Sequence, residues 1–162
     1  MVRKIICGVV FGIAFSGIGQ QYTNVAQVMN VPLTEQTLKL ITPSANSTPD
    51  GLFLAFMKAC AQGHLQNFLS LFTDEYIASE FGIQNRNSFS IEDSFDFQRF
   101  FNDDSVTNRM IVSYSCVISG NVAKISARVN VYTKHRVIAD DVEMGLIKAS
   151  DIWKINQWGE TE

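Results

Sequence analysis

From Thr48 onward, apolar residues recur at three- and four-residue spacing: Leu52, Phe53, Phe56, Met57 and Cys60, then Leu65, Phe68, Leu69 and Phe72. That period predicts amphipathic helix, with Lys58, Gln62, Gln66 and Asn67 on the wet side. Thr48-Pro49-Asp50 supplies a capping oxygen followed by proline at the first helical position. Gly63 divides the pattern into two helices, about 49–62 and 64–72. Thr73-Asp74 caps a third, running to Glu80. After an irregular stretch, Gly82 to Ser90, a further short helix is expected from Ile91 to Phe101, anchored by its phenylalanines.

From Thr107 the period changes to two. Met110, Val112, Tyr114, Cys116 and Ile118 read as one face of a strand. Ser119-Gly120-Asn121 is a hairpin signal. The next strand alternates more cleanly, with Ala123, Ile125, Ala127, Val129 and Val131 on one side and Lys124, Ser126, Arg128, Asn130 and Tyr132 on the other. His135 to Asp141 reads as a longer connection, Val142 to Ala149 as a third strand, Ser150-Asp151 as a tight turn and Ile152 to Trp158 as a fourth strand. Helices followed by an antiparallel meander predict an α+β domain with its helices on one sheet face.

The start of the chain reads differently. Arg3 and Lys4 precede an uncharged apolar run from Ile5, then the small residues Ser16, Gly17 and Gly19, then polar Gln20-Gln21. This is the secretory signal pattern, with cleavage expected after Gly19. The run to Ile18 falls short of the ~20 apolar residues that cross a bilayer. Residues 5–18 would touch a membrane only if retained as an anchor. Residues 20–47 read as a leader, either a linker or a segment laid over the domain, with Thr34 capping a short helix to Ile41, and residues 48–162 as the folded domain.

Composition narrows the classes of function. The 162 residues are 46% hydrophobic and 18% charged, which excludes a disordered chain. A net charge of −3 argues against nucleic acid as partner. Two histidines without ligand spacing point to no metal, and no phosphate loop or dinucleotide fingerprint points to a cofactor. Removing residues 1–19 would leave two cysteines, Cys60 and Cys116, both on core-facing positions. Either they are buried thiols, or they form a helix-to-sheet disulfide contributing about 3–4 kcal/mol.

Two stretches bring a family into view. Gly51–Tyr76, GLFLAFMKACAQGHLQNFLSLFTDEY, resembles the opening helices of the nuclear transport factor 2-like superfamily, and Ser150–Trp158, SDIWKINQW, resembles its closing hairpin and strand. The resemblance covers about residues 48–160. It implies a cystatin-like cone: a strongly bent antiparallel sheet of four or more strands wrapped around helices, often enclosing a pocket and often dimeric through the outer sheet face. Such folds host isomerases, dehydratases, polyketide cyclases, ligand carriers and silent assembly domains, so fold leaves function open.

Relatives resembling ketosteroid isomerase or the cyclases use an Asp base with a Tyr/Asp acid pair in an apolar pocket. Here Tyr114 is the candidate internal hydroxyl, and Asp74 with Tyr76 stands where such pockets tend to open. Neither long strand carries an inward acid, which departs from the isomerase pattern. His64 reads as a capping or solvent-facing residue, and His135 as part of a solvated turn. Asp103-Asp104 and Asp140-Asp141 read as acidic loop surface. The leading expectation is therefore an exported, non-catalytic domain that binds a small apolar ligand or a protein partner. Phe56, Cys60, Tyr76, Met110, Val112, Tyr114 and Val129 would line the pocket. The rivals are a small isomerase, dehydratase or cyclase using Tyr114 and Asp74, and an anchored component of an envelope or secretion assembly, since some type IV secretion components resemble this fold.

Overall fold

The computed structural model describes residues 21–42, 46–101 and 105–160. Residues 1–19, read above as a signal, and Asp103-Asp104 lie outside these residues. Among the described residues five α-helices precede four strands: α1 (Glu35–Leu40), α2 (Pro49–Gln62), α3 (Leu65–Leu69), α4 (Asp74–Glu80) and α5 (Phe95–Phe101), then β1 (Val106–Ser119), β2 (Val122–Thr133), β3 (Val137–Ala149) and β4 (Ile152–Glu160). The strands form an open antiparallel sheet in the order β1-β2-β3-β4.

Threonine hydroxyls start three of the helices. Thr34, Thr48 and Thr73 each accept a hydrogen bond from the backbone N–H three residues on, at 3.3, 3.1 and 3.2 Å. Helix α2 stops at Gly63, whose φ of 67° lies in the left-handed region that a side chain would strain. His64 stands at the start of α3 but its side chain makes no capping bond.

Of the two readings of the leader, residues 21–42 follow the second and lie over the domain. Val25, Val28, Leu33, Leu38 and Ile41 are buried in the same core as the helices and the sheet, so the folded unit begins before Thr48. Asn30 N–H donates to Ile111 O at 2.8 Å and Leu33 N–H to Arg109 O at 2.9 Å, covering the β1 edge at these residues. The opposite edge is covered in the same way: Thr73 N–H donates to Ile155 O and Ile155 N–H to Leu71 O. Covering an edge removes a template for unwanted strand pairing.

Both edge strands contain register shifts that re-aim their side chains. In β1, Ile111 pairs with Val129 and Ser113 with Arg128, leaving Val112 as a bulge. Arg109 and Ile111 therefore face inward before it, and Tyr114 and Cys116 after it. Met110 is on the opposite side, and its backbone bridges Pro32 at the strand edge. In β4 the shift falls at Asn156 and turns Trp158 inward opposite Met144. Gly145 sits against that bulge: a Cβ there would meet Gln157 Cβ at 3.1 Å and Asn156 Oδ1 at 3.2 Å.

Strand β3 begins at Val137, five residues earlier than the polar composition suggests. Only Lys134, His135 and Arg136 separate it from β2. Asp140 and Asp141 are strand residues, not loop. Asp140 pairs across from inward Val129, and Asp141 faces out to Arg128 through two hydrogen bonds of 2.7 Å.

Candidate functional site

The helices meet the inward sheet face over a cluster of aromatic rings centred on fully buried Phe68. Its centroid lies 4.9 Å from Phe72, 5.3 Å from Phe101, 5.5 Å from Phe56 and 5.6 Å from Trp158. One flank of this cluster is not filled. A cleft of about 850 Å³ opens between the C-terminal half of α2, helix α4, Phe81, Phe100 and all four strands.

Each wall follows from local spacing. Phe56 and Cys60 are one helical turn apart and project from α2 on the same side, with Met57 beside them. Tyr76 and Glu80 repeat that spacing on α4. The sheet contributes Val106 and Arg109 from β1, Val129 and Val131 from β2, Ile138, Asp140 and Val142 from β3, and Trp158 from β4. Tyr76 is pinned by its own hydroxyl, which donates to Trp158 O at 2.8 Å and accepts from Trp158 N–H at 3.2 Å. Burial raises its phenolic pKa.

Four of the expected lining residues, Phe56, Cys60, Tyr76 and Val129, are in the cleft walls. Met110 and Val112 are not, because the bulge turns Met110 away and removes Val112 from the ladder. Tyr114 does face inward but further along the sheet, at the N-terminal end of α2. Its hydroxyl donates to Asp50 Oδ1 at 2.7 Å, and its ring packs 5.2 Å from Phe53. Burial, then the Asp50 carboxylate, push its pKa far above the ordinary phenol range. Asp74 is brought nowhere near it: its carboxylate is exposed and paired with Arg86. The structure thus does not assemble the Tyr114–Asp74 pair.

The disulfide alternative is set aside as well. Cys60 and Cys116 are free thiols. Cys116 lies beside Tyr114 and feels Asp50, at the start of α2, whereas Cys60 is at its end and feels Arg109 and Asp140. Ten residues of helix separate those levels by about 15 Å, well beyond the reach of a disulfide. Burial pushes the Cys60 thiol up to about 12, which makes it a poor nucleophile.

Sequence reasoning missed Arg109, Asp140, Ile138 and Trp158. Ile138, Asp140, Val142, Met144 and Leu146 form an unbroken alternation, and this signal was readable. Arg109 and Trp158 owe their aim to bulges, which leave no comparable trace. Among the described residues, no group of three or more metal-ligating side chains occurs, and no helix is long and apolar enough to cross a membrane.

The outer sheet face carries Lys124–Glu143 at 2.6 Å beside the Arg128–Asp141 pair. At its hairpin end it becomes apolar, with Val117, Val122, Ile147 and Ile152 exposed.

The Tyr114–Asp50 bond joins β1 to the start of α2, and its removal is a direct test of that joint. Tyr114→Phe is expected to cost about 1–3 kcal/mol in urea unfolding, because the acceptor is charged. The pH dependence has a definite sign. Both raised tyrosines favour the protonated, folded state, so their contribution is intact below about pH 10 and is lost as pH climbs toward the folded-state values. Stability should fall above about pH 10, and less steeply in Tyr114→Phe.

No protein-family model matches the chain, and no curated protein does. Among solved structures it is similar to the solution structure of a SEC-C motif containing protein from Rhodopseudomonas palustris. The two are 10% identical with a TM-score of 0.52, over 72% of this chain and 81% of that one. That likeness concerns the fold alone and agrees with helices packed on an antiparallel sheet.

Proposed function

We propose that this chain is an exported, non-catalytic domain that binds a small apolar ligand in the cleft between α2, α4 and the sheet. The observation that carries the reading is the cleft itself. Its volume of about 850 Å³ falls within the ~300–1,000 Å³ of small-molecule sites. Its walls are mostly aliphatic and aromatic, which favours an apolar body through area removed from water. Support for a binder over an isomerase or cyclase comes from the engagements of the candidate groups. Tyr114 is committed to Asp50, and Asp74 to Arg86 at the surface.

The finer fold belongs to the same proposal. A nuclear transport factor 2-like cone is supported by the order of helices and strands and by the bulges in both edge strands, since a bulge bends its strand and increases twist. Export rests on the pattern of residues 1–19.

Solvent extraction of the purified protein followed by mass spectrometry tests the ligand half. A co-purified small apolar molecule in near-stoichiometric amount is expected. Recovery of none, together with no binding of any apolar probe, would sink the reading.

A further inference from the structure

Building on that apolar-ligand reading, we propose that the ligand is an amphipathic anion, a long-chain carboxylate whose head is held by Arg109. The cleft is apolar over most of its wall, yet a guanidinium stands in it. Arg109 is half-buried on the inward face of β1, in a row that continues across the sheet through Val131 and Ile138. Neither neighbour in that row has a side-chain acceptor. Among the described residues no carboxylate lies within ion-pair distance of Arg109, although Arg86 and Arg128 each have one.

A cation withdrawn from water without a counter-charge is costly, and the planar donor fork of arginine matches a carboxylate edge to edge. Three acids also border the cleft. Asp141 is turned outward to Arg128 at 2.7 Å, Asp140 faces inward and is not without a partner, and Glu80 is exposed at the rim, accepting from Ser79 at 3.3 Å. A hydrocarbon tail leading from Arg109 past Val129 toward Phe56 and Trp158 would run over mostly apolar surface, with Asp140 at its side. The donor fork of Arg109, without an ion-pair partner among the described residues, therefore favours a carboxylate head at that point of the wall.

Calorimetric titration of the full chain with dodecanoate, dodecanol and dodecylamine, each below its aggregation limit, tests this. Dodecanoate should bind at least about tenfold more tightly than dodecanol, the effect of one charge-assisted contact. Arg109→Met should remove that preference, and Arg109→Lys should keep part of it. Equal affinity for dodecanoate and dodecanol, or a preference for dodecylamine, would overturn the headgroup assignment and leave the apolar cleft standing. Failure of all three probes would overturn both. Should Arg109→Met not fold, the ranking of the three probes on the unaltered chain decides.

Discussion

Phe68→Ala is expected to destabilise the protein by about 3–5 kcal/mol, the range for truncating a fully buried phenylalanine. Phe68 is 0% exposed and its ring, on α3, packs against α2, the connection to α4, α5 and β4 through Phe56, Phe72, Phe101 and Trp158. Removing it opens a void that these rings cannot close without leaving their own contacts, and tilted or edge-on pairs add about 0.5–1.5 kcal/mol each beyond burial. For a chain of this size the melting temperature should fall by on the order of 10 °C. Phe100→Ala is the contrast: at 39% exposed it already borders the cleft, and it should cost less than half as much. Thermal and urea unfolding of the two variants side by side check the ranking. A loss below about 1 kcal/mol at Phe68 would mean that the rings do not form one packed unit.

The parts of this architecture that local chemistry dictates were legible in advance. Thr34, Thr48 and Thr73 announce helices because a hydroxyl can satisfy an otherwise orphaned N–H, and the structure makes all three bonds. Val129 was assigned to the inward face by simple alternation and is found there. What local pattern does not encode is a change of parity. Val112 sits in a run that alternates without interruption, and only the pairing partner on β2 reveals that it is skipped. Arg109, one residue from the expected Met110, is therefore the side chain that enters the cleft.

Position along an element is equally hidden. Cys60 and Cys116 were rightly placed on core-facing sides, but their levels along α2 depend on how the helix lies across the sheet. At Asp140-Asp141 the acidic composition outweighed the alternation, because two adjacent acids after Lys134-His135-Arg136 look like solvent. In the folded chain each of the pair serves a different face. Which of the two readings of the leader holds is hidden for a related reason: its backbone bridges to β1 are invisible until the edge it covers exists.

The central claim is that the space between α2, α4 and the sheet holds an apolar molecule, and the two tryptophans report on it directly. Trp158 lines the cleft, whereas Trp153 is 4% exposed, outside the cleft walls and opposite Lys148. A brominated alkane seated in the cleft would touch one indole and not the other. Titrating it into the unaltered protein and into Trp153→Phe should give saturable quenching of tryptophan emission, and Trp158→Phe should abolish the saturable part. Quenching that never saturates, or that persists unchanged in Trp158→Phe, would contradict the claim.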